Sequence, residues 1–355
     1  MHRRPRLLLS KQALAENYRF LSDRSGSAEC AASVKANAYG VGIAFAAPVL
    51  WDAGCRTYFV AYLEEAVALR ALLPEARIYV FHGPTDNLEP WQTHRLCPVI
   101  NEKTALDSSE WLTLDPALHI DTGMSRLGFP PNQLDEVLAG IPIDSFSLCM
   151  SHLACADEPS HPSNEEQRAR FTAAAAPFKE AGIALSLANT GGVLLGEAFH
   201  FDLTRPGIGL YGGSPDPSAP VGFQSVCQWQ GWVTQVAHLP PDTPVGYGGS
   251  YVTSREQVIL TVSVGYADGY LRALGNRAAV AIDGIECPVV GRVSMDLITI
   301  DATELWARGH RVKTDTWVEL MGAQISVDRL AVAGDTIGYE LLTRLGARLE
   351  RQAIA

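Results

Sequence analysis

Lysine is scarce in this 355-residue chain, and one of the few lysines stands where an amine could act as a nucleophile or a base. The lysines are Lys11, Lys35, Lys103, Lys179 and Lys313. Lys35 closes a short apolar run, where a charged amine is unfavourable unless it is paired or deprotonated. This position favours a lysine that forms a Schiff base with a carbonyl compound. Position alone also fits a lysine that extends past the rim to solvent, and Lys103, which follows another apolar run, is the competing candidate.

Two glycine-rich segments indicate a possible site for a phosphate group. Asn189 and Thr190 precede two glycines, and Arg205 precedes the sequence Pro-Gly-Ile-Gly, which contains Gly207 and Ile208. Backbone N–H groups in such loops bind a phosphate dianion well. Two ordinary tight turns would have the same composition, so the glycines alone do not identify the ligand.

Other residues with acid–base or anion-binding side chains fall near the ends of further apolar runs. They are His119, Asp121, Arg126 and His152. A histidine at a strand end is often only packed and hydrogen-bonded, so none of these residues identifies a reaction by itself.

Two tyrosines of the second half lie between glycines, Tyr247 in VGYGGSY and Tyr266 in VGYADGY. A tyrosine in such a loop can act as an acid or a base. The alternative is a turn closed by an aromatic side chain.

The elements that must position these residues alternate between strands and helices in the first part of the chain. Candidate helices cover residues 63–73, 132–139 and 164–181, and candidate strands cover residues 32–35, 57–61, 78–81, 97–100, 118–121, 147–151, 185–189 and 203–211. About eight strand–helix repeats favour a (β/α)₈ TIM-like barrel over an open sheet, and the active site of such a barrel lies at the carboxyl ends of its strands.

A change in the sequence pattern near residue 224, from strand–helix alternation to short segments between turns, predicts a second domain. Proline- and glycine-rich turns there separate short segments such as 230–238, 257–265, 278–282 and 297–300, with a longer helical segment only at 339–354. We therefore expect a barrel domain at residues 1–223 and a mostly β C-terminal domain at residues 224–355.

Composition restricts the partners and the compartment. The net charge of −11 argues against nucleic acid and anionic membrane as partners. Seven cysteines without a Cys-x-x-Cys pair favour a reducing, cytoplasmic environment over a disulfide framework. The N-terminal apolar run is too short for a signal peptide, and no apolar stretch is long enough to span a bilayer.

Several sequence blocks, taken together, resemble those of the alanine racemases. They occur in the family's order and span nearly the whole chain: residues 33–42 (SVKANAYGVG), 121–128 (DTGMSRLG), 151–157 (SHLACAD), 189–190, 204–212 (TRPGIGLYG), 245–251, 264–269 (VGYADG), 290–296 (VGRVSMD) and 338–340. The combination is specific, although single blocks are not. The resemblance implies a barrel that binds pyridoxal 5'-phosphate and a β domain behind it.

The resemblance also implies two bases for the interconversion of L-alanine and D-alanine. Lys35 binds the pyridoxal phosphate and acts as one base, and Tyr247, presented by the partner subunit of a homodimer, acts as the other. Two bases on opposite faces of a planar cofactor suit a reaction that removes a proton from one face and returns one to the other.

The remaining roles implied by the resemblance concern the cofactor and the substrate. Arg205 bonds the pyridine nitrogen, His152 lies between Tyr247 and Arg205, and Arg126 contacts the phenolic oxygen. Tyr266 and Met295 of the partner hold the substrate carboxylate and limit the pocket. The phosphate is bound by Tyr39, Thr190, Gly207, Ile208 and Tyr339, with Asn189 beside Thr190.

One departure from the family pattern affects Arg126. His119 stands where several members carry a carbamylated lysine that orients the matching arginine, and histidine cannot carry a carbamate. Arg126 is then oriented by His119, by water or by an anion such as chloride.

Alternative functions remain open from sequence alone. A serine or broad-specificity racemase differs only in its pocket, and the sequence does not separate a biosynthetic from a catabolic role. A decarboxylase of similar layout has a different pattern around the cofactor, and a carrier protein for pyridoxal phosphate has only the barrel. A lysine-dependent aldolase barrel without cofactor predicts a colourless protein.

Overall fold

The computed structural model describes residues 4–355 and divides the chain into two compact units. The first unit is Ala15–Leu210, and the second combines residues 4–14 with Tyr211–Ala355. The expected boundary was residue 223, with the N-terminus in the barrel. In the structure the N-terminal strand β1 (Arg6–Ser10) belongs to the second unit, because it pairs with two strands from the C-terminal part of the chain.

A sheet of short parallel strands forms the centre of the first unit. Its strands, in order, are β2 (Glu29–Cys30), β3 (Ala32–Ser33), β4 (Thr57–Val60), β5 (Arg77–Val80), β6 (Cys97–Ile100), β7 (Ala117–His119), β8 (Leu148–Met150), β9 (Ala184–Ser186) and β10 (Leu203–Thr204). Strands β3 to β9 are paired in sequence order, and β2 and β3 are two parts of one strand interrupted at Ala31.

Backbone hydrogen bonds on both sides of β10 close this sheet into a barrel. On one side Ala31 donates to the carbonyl of Thr204 at 2.9 Å, and on the other Arg205 donates to the carbonyl of Ala188 at 2.8 Å. The expected (β/α)₈ barrel is therefore confirmed. Buried side chains such as Phe59, Tyr79 and Met150 fill its interior, which is why its strands are nearly continuous apolar runs in the sequence.

Helices of the first 200 residues follow most of the barrel strands. They are α1 (Lys11–Ser25), α2 (Lys35–Tyr39), α3 (Ile43–Asp52), α4 (Leu63–Leu72), α5 (Glu89–Thr93), α6 (Leu134–Val137), α7 (Ser163–Ala174), α8 (Ala176–Glu180) and α9 (Thr190–Leu195). The helix predicted at residues 164–181 is divided at Ala175, because Pro177 has no N–H with which to continue the ladder.

The second unit is mostly β, as expected. Its later strands are β11 (Cys227–Leu239), β12 (Pro244–Val245), β13 (Tyr251–Val252), β14 (Gln257–Val262), β15 (Ala279–Ile282), β16 (Ile285–Val290), β17 (Ile298–Asp301), β18 (Trp317–Met321) and β19 (Glu350–Ile354), and its later helices are α10 (Thr303–Ala307), α11 (Val327–Gly334) and α12 (Gly338–Thr343). Six antiparallel strands form a ring in the order β14-β17-β16-β15-β18-β11, because β14 also pairs with β11. The ring makes this sheet barrel-like.

The prediction of a helical segment at residues 339–354 is wrong for its second half. Helix α12 ends at Thr343, and Glu350–Ile354 is instead a strand that pairs in parallel with β1. The pairing partner is more than 300 residues away, so local sequence carried no sign of it.

Candidate active site

Lys35 lies directly beyond β3, at the carboxyl edge of the barrel sheet. Its side chain is half-buried, and Nζ is 5.5 Å from the centre of the Phe81 ring. Burial, and then the nearby charge of Arg126, lowers the pKa of Lys35, while Glu65 acts in the opposite direction. The competing candidate, Lys103, is exposed and pairs with Glu136 at 2.9 Å. Lys35 is therefore the lysine in an environment that favours a neutral amine.

The backbone after Lys35 forms a left-handed turn. Ala36, Asn37, Ala38 and Tyr39 have φ values of 54, 54, 54 and 52°. Left-handed backbone costs roughly 1–2 kcal/mol for each ordinary L-residue. Such strain persists only where the surroundings hold it, and it is concentrated at functional sites. Here the Asn37 side chain accepts a hydrogen bond from the N–H of Ile43 at 2.8 Å, which helps to fix the turn.

Tyr39, Thr190 and Gly207 come together in the first unit, as expected for a phosphate site. The hydroxyl of Thr190 accepts hydrogen bonds from the N–H groups of Gly207 at 2.9 Å and Gly209 at 3.4 Å. A Cβ on Gly207 would lie only 2.1 Å from the Tyr39 hydroxyl, so only glycine fits there. Ile208 beside it is fully buried, and Tyr39, Thr190, Gly207 and Ile208 together form a cradle.

Asn189 and Tyr339 each lie at the start of a helix. The Asn189 side chain accepts a hydrogen bond from the N–H of Gly192 and caps helix α9. Tyr339 belongs to helix α12 of the second unit. The geometry thus gives Asn189 a structural role at the start of α9.

We expect Gly207→Ala to weaken the binding of pyridoxal phosphate by about tenfold or more, because the new methyl group must displace Tyr39 from the cradle. Titration of the full chain with the cofactor, followed by visible absorbance, measures the affinity. Adding Tyr39→Phe removes the nearest atom, so the double variant should recover part of the loss. If Gly207→Ala bound pyridoxal phosphate with wild-type affinity, the cradle would not be the phosphate site.

Arg205 is a buried cation without an acidic partner. Its side chain donates to the hydroxyl of Ser186 and, at 2.5 Å, to the carbonyl of Ser151. Its Nε has no hydrogen-bond partner, and within residues 4–355 no ion pair involves it. A buried donor in this state needs an acceptor. The neutral nitrogen of a pyridine ring meets that requirement, so these residues fit pyridoxal phosphate.

His152 carries no charge at neutral pH. Burial, and then the charge of Arg205, lowers the pKa of His152 well below its usual value near 6.5. The buried Gln167 side chain holds the adjoining backbone, because it donates to the His152 carbonyl at 2.9 Å and accepts from Ala154 at 2.8 Å. His152 can therefore take part in hydrogen bonding as a neutral imidazole.

The loop that carries Arg126 is shaped by Asp121. One carboxylate oxygen of Asp121 accepts the N–H groups of Gly123, Met124 and Ser125 at 2.9–3.0 Å. Although burial acts to raise the pKa of Asp121, these bonds lower it. Arg126 itself is exposed.

His119, at the end of β7, is bonded to Asn101. Its Nδ1 lies 2.8 Å from Oδ1 of Asn101, whose amide nitrogen donates to the carbonyls of Phe81 and Val99. The Asn101 oxygen therefore accepts a hydrogen bond from the Nδ1–H group of His119, which leaves Nε2 of His119 as an acceptor. Burial lowers the pKa of His119 to about 4, so the ring is neutral at pH 7.

The three second-unit residues expected near the substrate are all exposed. The exposed fractions of Tyr247, Tyr266 and Met295 are 71%, 45% and 54%. The loops of Tyr266 and Met295 are adjacent, because Tyr266 donates to the carbonyl of Ser294 and Ala267 to that of Met295, both at 3.0 Å. These side chains are thus presented on the surface of a single chain.

Several residues of the site were missed from sequence, among them Glu65, Asn101, Gln167 and Ser186. Each acts through the backbone or side chain of a residue distant in sequence. The one local signal was at Glu65, which occupies the third position of a helix that begins just after a strand end.

The part of the chain that the structure describes contains neither a metal-ligand cluster nor a membrane-spanning helix. Across residues 4–355 no cluster of histidine, cysteine, aspartate and glutamate could hold a metal ion. In the same range no helix has the length and apolar character needed to cross a bilayer. All seven cysteines are unpaired, and Cys155 is the only one that is not buried.

Comparison with known proteins assigns both parts of the chain. Residues 9–215 match the family model "Alanine racemase, N-terminal domain", and residues 226–353 match "Alanine racemase, C-terminal domain". The alanine racemase of Rhodospirillum rubrum is 44% identical over 360 residues, which cover 98% of this chain and 95% of that protein.

Solved structures agree with this assignment. The biosynthetic alanine racemase of Pseudomonas aeruginosa superposes with a TM-score of 0.92 at 33% identity, covering 100% of both chains. The alanine racemase of Bartonella henselae, a structure with covalently bound pyridoxal phosphate, has a TM-score of 0.90 at 36% identity and covers 99% of this chain and 100% of its own. The chain therefore belongs to the alanine racemase family.

Proposed function

We propose that this protein is a pyridoxal-phosphate-dependent isomerase that interconverts L-alanine and D-alanine. The observation that carries the proposal is the presence, at one edge of the barrel, of Lys35, an amine with a lowered pKa, and of Arg205, a buried guanidinium without an acidic partner within residues 4–355. Both act on the pKa of the same histidine, His152. Membership of the alanine racemase family supports alanine as the substrate.

The first unit supplies most of the groups that would hold the cofactor. Lys35 would bind its aldehyde, Arg205 its pyridine nitrogen and Arg126 its phenolic oxygen. The phosphate would lie in the cradle of Tyr39, Thr190, Gly207 and Ile208, joined by Tyr339. When bound, pyridoxal phosphate withdraws electrons from Cα of the amino acid and so acidifies the Cα–H bond.

The chain's own residues would then move the proton. Lys35, whose pKa burial lowers, serves as the base on one face of the substrate. Tyr247 serves the opposite face, where its hydroxyl needs a neighbour to which it can donate its hydrogen. Neutral His152 is suited to accept that hydrogen bond, and burial together with the charge of Arg205 disfavours full transfer of the proton to it.

We further propose a homodimer in which Tyr247, Tyr266 and Met295 complete the site of the partner subunit. Their exposure on a single chain supports this arrangement, because large apolar and aromatic side chains exposed together are typical of contact surfaces. In that position Tyr266 and Met295 would hold the substrate carboxylate and limit the pocket to a small side chain.

A reducing, cytoplasmic location fits the same proposal. The seven unpaired cysteines support it, since secreted proteins of this cysteine content commonly form disulfides. The net charge of −11 supports a small amino acid rather than nucleic acid as the partner.

The function is tested by incubating the purified full chain with L-alanine or D-alanine in deuterium oxide. We expect visible absorbance from the bound cofactor and incorporation of deuterium at Cα from both enantiomers. L-serine in parallel tests specificity: comparable rates would make the protein a broad racemase. Protein that stays colourless with added pyridoxal phosphate would contradict the proposal and favour a cofactor-free lysine enzyme.

A further inference from the structure

We infer that Glu65 is a positioning residue that holds Lys35 in place by binding the left-handed turn behind it, a role that rests on the proposed function of Lys35. Oxygen Oε1 of Glu65 accepts the N–H of Ala36 at 2.6 Å and that of Asn37 at 3.4 Å. These are the two residues that directly follow Lys35, and both have positive φ. The carboxylate therefore binds the start of the strained turn.

The second oxygen of Glu65 fixes the neighbouring strand end. Oε2 accepts the N–H of Ala61 at 2.8 Å and that of Tyr62 at 3.4 Å. Ala61 follows β4, the strand next to β3 in the barrel. One carboxylate thus joins the backbone beyond two adjacent strands, at the barrel edge where Lys35 lies.

These contacts exceed what a helix start requires. A glutamate at the third helical position ordinarily binds the N–H before its own helix, as Oε2 does with Tyr62. The bonds to Ala36 and Asn37 reach a segment 28 and 29 residues away. Because the acceptor is charged, these bonds are stronger than those between neutral groups. They favour the left-handed conformation that sets the direction of Lys35 and the place of Tyr39.

Glu65 also influences the charge of Lys35. Three charged or titratable groups interact electrostatically with the Lys35 amine. Arg126 and Glu65 shift the pKa of Lys35, and Lys35 in turn shifts the pKa of His152. Arg126 lowers the pKa of Lys35, and Glu65 raises it. Removing the Glu65 charge should therefore lower the pKa of Lys35, an effect that a purely structural contact would not produce.

Glu65→Gln is the variant that tests this role, with Glu64→Gln as its matched control. Glu64 is the preceding residue, is exposed and lies in the same first turn. A glutamine can accept at only one of the two positions, so one pair of N–H groups loses its acceptor. The measurement is the rate of pyridoxal phosphate uptake by the full chain between about pH 6 and pH 10, where lysines with lowered pKa titrate.

We expect Glu65→Gln to lower the high-pH plateau of the uptake rate about tenfold, in line with the loss of charge-assisted bonds. The midpoint of its pH profile should also move to lower pH, and Glu64→Gln should match the wild type in both respects. If the pH profile of Glu65→Gln equalled that of the wild type, or if only its thermal stability changed, Glu65 would serve only to cap helix α4 and would not position Lys35.

Two further results separate this inference from the proposed function. Failure of the wild type to take up the cofactor would refute the proposed role of Lys35 itself. If Glu65→Gln does not fold, hydrogen exchange in the wild type decides the matter. Slow exchange of the Ala36 and Asn37 amides supports their binding by Glu65, and exchange as fast as that of unbonded surface amides overturns it.

Discussion

Replacing Lys35 with alanine is expected to lower alanine racemisation by about 10³-fold or more, because the variant loses both the covalent attachment of the cofactor and one of the two bases. The rate is measured in both directions with the purified full chain. Affinity for pyridoxal phosphate should fall less than activity, since Arg205 and the cradle around Gly207 remain.

Lys103→Ala is the matched control for this experiment. Lys103 also follows a barrel strand, but it is exposed and pairs with Glu136, and exposed pairs of this kind contribute little to stability. Its variant should keep wild-type activity. A small primary amine added to Lys35→Ala should restore part of the rate, whereas full activity of Lys35→Ala without added amine would show that another group is the base.

Sequence alone predicted the barrel because its strands and helices can be identified from short stretches of sequence. Strands buried on both faces are apolar runs, and strands such as Thr57–Val60 and Cys97–Ile100 were found within a residue of their ends. The carboxyl ends of parallel strands share one edge, so Lys35, His119 and His152 could be assigned to one site before any contact was known.

The left-handed turn after Lys35 could not be predicted in this way. Alanine and tyrosine have no preference for positive φ, so Ala36, Ala38 and Tyr39 give no sign of the conformation. Besides the local bond of Asn37, the contacts that stabilise the turn come from Glu65, in a different βα unit. The same limit applies to Glu350–Ile354, whose strand conformation depends on pairing with β1. Local sequence patterns do not predict a backbone conformation that depends on contacts with residues far away in the sequence.

Tyr247→Phe is expected to make the two directions of proton exchange unequal. The variant keeps the aromatic ring and loses only the hydroxyl that would serve one face of the substrate. Deuterium incorporation from L-alanine should fall by about 10²–10⁴-fold, while incorporation from D-alanine, for which we propose Lys35 as the base, should fall much less.

Tyr251→Phe is the appropriate control for this variant. Tyr251 lies in the same segment, and its hydroxyl accepts a hydrogen bond from Gln257 at 2.7 Å. Removing that hydroxyl changes a structural contact, so both exchange rates should change together and slightly. Equal losses from the two enantiomers in Tyr247→Phe would remove Tyr247 from the role of second base.

Whether Tyr247 acts across subunits can be tested by combining two inactive chains. Chains carrying Lys35→Ala and Tyr247→Phe are given different affinity tags, expressed together, and purified as mixed dimers. If Tyr247 completes the partner's site, each mixed dimer has one site with both bases and one with neither, so about half of the wild-type activity should return in this two-fold arrangement. If both bases came from one chain, every site of the mixed dimer would lack a base, and the mixture would stay as inactive as its parents. Recovered activity would therefore establish the shared site, and its absence in a demonstrated mixed dimer would place Tyr247 and Lys35 in the same subunit's site.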